Sequence, residues 1–181
     1  MNYYGYGNYG HYSYEQAIPY VPVMDMSATE QQTETAEMFT YPQNLQDALD
    51  LILQALSGEN EDRMFYSWLI ENAPSIEDKE IISGIRENEI GHYELFKQIY
   101  NEVSNMMPQQ FPGEQFSPPE NYCAGLANAI LGEQNAVQKY RKILYAMQDR
   151  VHINMMTEII TDEIRHGILY NYLYAKNSCK V

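Results

Sequence analysis

Basic residues are scarce in this sequence, and none occurs in its first third. No lysine or arginine precedes Arg63, and 11 basic residues stand against 25 aspartates and glutamates, which gives a formal net charge of −14. Nucleic acids and anionic membranes attract basic surfaces. We therefore expect neither nucleic acid nor a membrane as a partner.

Long apolar segments are also lacking. No apolar run approaches the roughly 20 residues that a helix needs to cross a bilayer, and the N-terminus has no basic segment followed by an apolar one, as a secretory signal would. We expect a cytoplasmic location. Assembly into a coat or at a surface, through the N-terminal segment, is the alternative.

Cysteine is nearly absent. Cys123 and Cys179 are too few and too far apart for a C-x-x-C metal site. Two free thiols are expected in an intracellular protein, with a disulfide as the alternative.

Glycine and proline are few except in two stretches, which divide the chain. Residues 1–43 form a Tyr/Gly/Asn-rich tail with seven tyrosines in its first 20 residues. We expect this tail to be flexible or docked on the surface; packing on its own bundle or on a neighbouring subunit is the other interpretation. The second stretch, 107–118, contains Pro108, Pro112 and Gly113 and breaks any helix.

Apolar residues between these breaks recur with helical spacing. The pattern predicts four helices, at about 45–73, 75–106, 120–147 and 151–175, with Ser75 capping the second. They form two hairpins, 44–106 and 119–177. The crossover at 107–118 is long enough to span the length of a helix when extended.

Two Glu-x-x-His motifs lie within the apolar stripes of the second and fourth helices. Glu89 and His92 form the first motif, and Glu163 and His166 form the second. Residues three apart share one face of a helix, so each pair can reach a single cation.

The two motifs belong to a longer internal repeat. The alignment that places one Glu-x-x-His motif on the other also places Gly58-Glu59 on Gly132-Glu133 and Tyr66 on Tyr140, without a gap. Such a repeat argues against chance. Two related hairpins joined by a crossover predict an all-α, up-down-down-up four-helix bundle in the domain at 44–177; a solenoid of hairpins is the less economical alternative.

The four glutamates of this repeat would bring four negative charges into an apolar interior. That arrangement is prohibitive unless the carboxylates are protonated or paired with cations. Two divalent ions would supply the missing charge, and carboxylate with imidazole ligands suits iron or manganese. The predicted metal ligands are Glu59, Glu89, His92, Glu133, Glu163 and His166.

With these motifs, residues 45–176 resemble the ferritin-like superfamily and, within it, the rubrerythrin-like proteins. The resemblance implies a di-iron centre in which Glu89 and Glu163 bridge two metals, Glu59 and Glu133 are terminal ligands, and each histidine holds one metal. It also implies oxidation of that centre by peroxide or dioxygen. The chain has no rubredoxin-like pair of C-x-x-C motifs, so a separate electron donor is expected.

Several other residues could support the centre. Asn88 and Asp162 precede the two motif glutamates and could accept the free imidazole N–H of the opposite half's histidine. Asp62 is either an added ligand or, as we favour, a partner for an arginine. Tyr66 and Tyr140 could hydrogen-bond the ligands or guard against radicals, although core packing alone would explain them. His11 and His152 fit no pattern and are expected to be ordinary surface residues.

The sequence favours a peroxide- or dioxygen-reducing oxidoreductase, of peroxidase or ferroxidase type. A di-manganese catalase is one alternative. A metal-binding structural or coat-type protein without significant turnover is another, in which the tail mediates assembly, as it could also do in a homo-oligomer.

Overall fold

The protein is all-helical in the part that its structure, a computed structural model, describes: residues 37–109 and 116–180. Five helices follow in order: α1 (Leu45–Ser57), α2 (Glu59–Asn72), α3 (Ile76–Ser104), α4 (Tyr122–Ala146) and α5 (Arg150–Lys176). The predicted all-α class is confirmed. Residues 1–36, which include His11 and most of the predicted tail, lie outside the described residues. So do residues 110–115 and the side chains of Glu59 and Asn60.

The first predicted helix is divided in two. Gly58 lies between α1 and α2 with φ −76° and ψ −12°. This ψ is shallower than that of a regular α-helix, and glycine is a poor helix former. The chain remains helical on both sides, so the single helix predicted for 45–73 was wrong only at this junction.

Side-chain caps start the three long helices. Ser75 accepts from the backbone N–H of Asp78 at 3.2 Å, as the sequence predicted. Asn121 accepts from Ala124 at 2.9 Å, and Asp149 accepts from Val151 at 2.7 Å. These caps satisfy backbone donors that have no partner within the helix.

Two side-chain contacts join opposite ends of α3 and α5, and they show that the helices are antiparallel. Lys176, in the last turn of α5, donates to Asp78 in the first turn of α3 at 2.6 Å. At the other end, Nε2 of His152 lies 2.7 Å from Oε2 of Glu102. The prediction of a surface His152 was therefore wrong: the apolar stripe of α5 begins one turn earlier, and His152 is buried.

Close contacts at Gly125 fix the start of α4 against the end of α2. A Cβ at this position would lie 2.7 Å from the ring of Trp68 and 2.8 Å from Leu69. At the other end, Ala146 shares a core cluster with Ala48 of α1. The α4 helix therefore runs antiparallel to α1 and α2, and the bundle has the predicted up-down-down-up order.

The described core has two apolar clusters. The first lies toward the α1 end: Ala48, Ile52, Leu56, Phe96, Ile99, Tyr100, Ile143, Ala146, Met147, Met156 and Ile159. The second lies toward the α2 end: Tyr66, Leu69, Ala73, Ile82, Ile85, Leu126, Ala129, Tyr170 and Leu173. Burial of these side chains provides most of the favourable free energy of folding.

Cys123 and Cys179 form a disulfide, with a Cα–Cα distance of 5.4 Å. The expectation of two free thiols was therefore wrong. The α4–α5 hairpin brings the start of α4 beside the segment that follows α5, although the two cysteines are 56 residues apart in sequence. That proximity depends on the fold and not on local spacing.

None of the helices within the described ranges is both long enough and apolar enough to cross a membrane.

Candidate metal centre

The two Glu-x-x-His motifs face each other across the contact between α3 and α5. The imidazole rings of His92 and His166 are nearly parallel, with centroids 5.9 Å apart and planes inclined at 29°. Both histidines are buried, as is Glu163, while Glu89 is partly buried. The helical repeat has therefore placed both motifs on the inward faces.

Each imidazole directs Nδ1 toward carboxylates of both halves. Nδ1 of His92 lies 3.3 Å from Glu89 and 3.2 Å from Glu163. Nδ1 of His166 lies 2.8 Å from Glu89 and 3.9 Å from Glu133. The carboxylates of α3, α4 and α5 thus converge with two imidazole nitrogens on one region of the interior.

The other imidazole nitrogens face the residues that precede the motif glutamates. Nε2 of His92 lies 3.3 Å from Oδ2 of Asp162, and Nε2 of His166 lies 3.3 Å from Oδ1 of Asn88. A hydrogen on Nε2 can donate to these oxygens, which leaves the lone pair of Nδ1 for a cation. The structure places both sequence-predicted contacts across the two halves.

Arg165 joins these two contacts, and sequence reasoning missed it. Its guanidinium donates to Asp162 at 2.8 and 3.0 Å and to Asn88 at 2.9 Å. The matching position in the first half is Gly91, so one arginine serves both histidines. A comparison of the two halves would have drawn attention to this unmatched arginine.

Four side chains offer ligand atoms that all lie within 4.8 Å of one another: Glu89, Glu133, Glu163 and His166. Three polar atoms of these side chains, Oε1 of Glu89, Oε1 of Glu163 and Nδ1 of His166, are buried and make no hydrogen bond among the described residues. The contact of His166 with Glu89 is short, but its geometry is not that of a hydrogen bond. Buried polar atoms without partners are costly, so these side chains fit a metal ion.

The electrostatics of the cluster also fit cation binding. Burial, followed by the neighbouring carboxylates of Glu163 and Glu89, raises the pKa of Glu133 to about 12. Burial opposes charge on His92, but Glu163 and Glu89 raise its pKa to about 10. Protons on Glu133 and His92 reduce the net negative charge of the cluster, as bound divalent cations could also do.

A cavity of about 380 Å³ reaches the carboxylates between α2 and α4. Glu89, Glu133 and Glu163 line its inner end. Its remaining lining residues come from α2 and α4: Asp62, Phe65, Tyr66, Asn128, Ala129, Gly132, Asn135, Ala136, Lys139 and Tyr140. The cavity is far larger than the roughly 30 Å³ share of one water, so small molecules can approach the cluster.

Three further candidate residues, Tyr66, Tyr140 and Asp62, line this cavity. Tyr66 is buried and Tyr140 is half-buried. Burial and the nearby carboxylates raise the pKa of both phenols well above the usual value. Asp62 is exposed and lines the cavity. The predicted ligand Glu59 begins α2, and its side chain lies outside the described residues.

Comparison with known proteins identifies relatives over the helical part of the chain. The family model described as Rubrerythrin matches residues 50–174, more than half of the chain. The "Uncharacterized protein YhjR" of Bacillus subtilis (strain 168) is 28% identical over 121 residues, which cover 66% of this chain and 81% of that protein. No solved structure gives a significant match.

Proposed function

Because the chain belongs to the rubrerythrin family, we propose that it binds two iron ions and reduces hydrogen peroxide or dioxygen with them. The observation that carries this proposal is the cluster of ligand atoms from α3, α4 and α5, all within 4.8 Å of one another. Carboxylates with imidazole, and without thiolate, suit iron or manganese.

The proposed ligand set contains six side chains: Glu59, Glu89, His92, Glu133, Glu163 and His166. The glutamates of the two Glu-x-x-His motifs would be shared by the two ions, and each histidine would hold one ion through Nδ1. The remaining two glutamates would be terminal ligands. The repeat supports a terminal role for Glu59, because this residue matches Glu133 when the two halves of the chain are aligned.

When bound, the iron(II) pair would supply the two electrons that reduce the O–O bond of peroxide. The chain's own residues prepare the site for this reaction. The cavity between α2 and α4 admits the small oxidant, and its lining combines apolar side chains such as Phe65 and Ala136 with polar ones such as Asn128 and Lys139. Asn88, Asp162 and Arg165 hold the imidazoles in orientation.

The partners follow from the same proposal. Peroxide or dioxygen is the oxidant, and electrons must come from a donor outside the carboxylate cluster. The tail at 1–43 is proposed to mediate contacts between copies of the chain. The net charge of −14 supports neither nucleic acid nor an anionic membrane as a partner.

An anaerobic titration with iron(II), followed by stopped-flow mixing with peroxide, tests the proposed function. We expect two iron ions per chain and rapid growth of the near-ultraviolet absorbance of ferric iron, without oxygen release. The same measurement on Glu158→Gln, an exposed position on α5, controls for general effects of substitution.

Other outcomes would replace the proposal. Oxygen release from the manganese-loaded protein, with little reaction of the iron-loaded form, would favour a di-manganese catalase. A filled site that stays inert toward peroxide and dioxygen would favour the structural or coat-type role.

A further inference from the structure

Three exposed apolar side chains lie together on the solvent side of the α4–α5 hairpin. A Cβ at Gly167 of α5 would lie 2.8 Å from Nε2 of Gln134 on α4, so the two helices meet at these positions. Leu131 is one turn before Gln134, Ile164 is one turn before Gly167, and Ile168 follows Gly167. Leu131, Ile164 and Ile168 are 64%, 45% and 65% exposed. We call these three residues the α4–α5 patch.

Packing of a hairpin in this bundle does not require apolar side chains at these positions. Alignment of the two Glu-x-x-His motifs places Ser57 on Leu131 and Glu94 on Ile168. In the first hairpin Glu94 is exposed and pairs with Lys97 at 3.0 Å. A group of exposed apolar side chains that the fold does not need commonly marks a binding surface.

Charge is distributed unevenly along the outer surface of α4. Between residues 122 and 138 the only charged residue is Glu133, and it is buried. Arg141 and Lys142 follow in the next turns and are exposed. The apolar patch is therefore bordered by positive charge toward the end of α4.

The segment before α1 reaches α4 at this basic border. The rings of Phe39 and Tyr145 have centroids 4.7 Å apart, and Arg141 donates to the hydroxyl of Tyr145 at 3.0 Å. The side chain of Asn44 fixes the segment, because it donates to the carbonyl of Met38 at 3.0 Å. Residues 1–36 therefore begin their course beside the positive end of the surface.

The composition of residues 1–36 matches that surface in the same order. Residues 27–36, which adjoin the anchored segment, contain Glu30 and Glu34 and no basic residue. Residues 18–26 come next and read Ile-Pro-Tyr-Val-Pro-Val-Met-Asp-Met, where most of the aliphatic side chains of the tail are concentrated. An acidic linker and then an apolar segment thus face a basic border and then an apolar patch.

The linker is long enough to connect the two. Tyr145 follows Leu131 by fourteen positions on α4, which is about four helical turns and about 21 Å along the axis. The two residues therefore lie on nearly the same face. Residues 27–36 span up to about 35 Å when extended, so they can carry residues 18–26 to the patch.

We propose that residues 18–26 of each chain dock on the α4–α5 patch of the same chain. The linker keeps the segment at an effective concentration on the order of millimolar, so a small patch is sufficient to hold it. A separate partner would need to cover about 800 Å² of each surface, which three side chains supply only in part. The inference does not depend on the iron chemistry, and it leaves residues 1–17 for the proposed contacts between copies.

Photo-cross-linking of the full chain tests the inference. p-Benzoylphenylalanine is placed at Tyr20 in one preparation and at Tyr6 in another, and each is irradiated and digested for mass spectrometry. We expect the probe at position 20 to join mainly to residues 127–138 and 161–171, in a product that has the mass of one chain. The probe at position 6 should give little of this product.

Ile168→Glu is the decisive variant, because Glu94 shows that a glutamate is accepted at the equivalent position of the first hairpin. We expect the yield of the cross-link from position 20 to fall about tenfold, since a charge replaces an apolar contact. Ile76→Arg is the matched control: Ile76 is exposed at the start of α3, and its equivalent is Arg150. Its yield should be unchanged, and circular dichroism should show equal helix content in both variants.

Contrary results would overturn the inference in distinct ways. Cross-links found only in a product of two chains would mean that the patch holds the tail of another copy. A yield unaffected by Ile168→Glu, or links spread evenly over all helices, would show that residues 18–26 do not dock on the patch. Dissociation of an oligomer by Ile168→Glu in gel filtration would show that a second bundle covers it.

Discussion

Arg165 on α5 donates a hydrogen bond of 2.9 Å to Asn88 on α3. The same guanidinium also donates to Asp162, so the residues that orient His92 and His166 share one donor. His92 faces an anionic carboxylate, while His166 faces a neutral amide. The two imidazoles are therefore held in related positions but in different electrostatic surroundings.

Arg165→Ala should weaken metal binding. Loss of the shared donor lets Asn88 and Asp162 turn away from the imidazoles, and removal of such outer partners typically costs about 10- to 100-fold in metal affinity. We expect a loss of about tenfold, measured by competition with a chelator of known affinity. Arg165→Lys should be intermediate, since a single ammonium does not reproduce the forked guanidinium.

Arg141→Ala provides the control, because Arg141 donates to Tyr145 on the surface of α4. Its affinity should match that of the unmodified protein. Equal affinities in Arg165→Ala and Arg141→Ala would mean that the arginine does not position the imidazoles.

Glu133→Ala should lose about one metal ion per chain. The buried carboxylate on α4 is proposed as a terminal ligand of one ion only, so the other site keeps its ligands. The metal content after anaerobic loading and gel filtration measures this loss. A content that remained at two ions per chain would contradict the role of Glu133.

Glu133→Gln separates metal binding from folding. The raised pKa of about 12 means that Glu133 is neutral near pH 7 in the metal-free protein, and glutamine is neutral and similar in size. The free energy of unfolding of the metal-free variant should therefore change by less than about 1 kcal/mol, while its metal content falls. A large loss of stability would show that the carboxyl group has a structural role.

Asp78 predicts a particular dependence of stability on pH. Burial opposes its charge, but hydrogen bonds from Lys176, Ser75 and Asn177 lower its pKa to about 2, below the value of about 3.9 in an unfolded chain. A depressed folded pKa stabilises the protein above the unfolded pKa. This contribution is lost as the pH falls from about 4 to about 2.

Asp78→Asn tests this expectation. Urea unfolding should show the variant less stable by about 1–2 kcal/mol above pH 4, a range reduced because Lys176 is partly exposed to solvent. The difference should shrink steadily toward about pH 2. A difference independent of pH would show that packing, and not the charge, accounts for the loss.

Gly125→Ala should destabilise the bundle. The new methyl group would lie 2.7 Å from the ring of Trp68 and 2.8 Å from Leu69, and overpacking of this kind costs about 1–3 kcal/mol. Gly132→Ala, on the same helix with nothing within 4 Å, should instead gain about 0.5–1 kcal/mol from helix propensity. Urea midpoints compare the two, and a stable Gly125→Ala would mean that α2 and α4 can separate without penalty.

The sequence alone predicted the helices because the spacing of apolar residues that indicates a helix is a local pattern. The stripe of α5, from Met156 through Glu163 to Leu173, is buried as predicted, since spacing by three and four residues determines which face turns inward. The repeat also predicted that the two Glu-x-x-His motifs face each other, because each half has the same polar pair on its buried face.

What the sequence could not provide depends on distances between helices. The bond between Cys123 and Cys179 requires the start of α4 to lie beside the end of α5. The joint contact of Arg165 with Asn88 and Asp162 requires the separation of α3 and α5. Cys123, Cys179 and Arg165 each resemble an ordinary surface position, so local patterns gave no reason to connect the two cysteines or to add the arginine to the predicted pair.

The two acid–base contacts between α3 and α5 occupy positions related by the repeat, but the acid and the base are exchanged. Alignment of the two halves places Asp78 on His152 and Glu102 on Lys176, so the first hairpin carries both acids and the second carries both nitrogen bases. Two copies of the first hairpin would oppose Asp78 to Glu102, and two copies of the second would oppose His152 to Lys176. Each hairpin is thus complementary to the other and not to itself, so the repeat specifies a pairing of unlike halves within one chain.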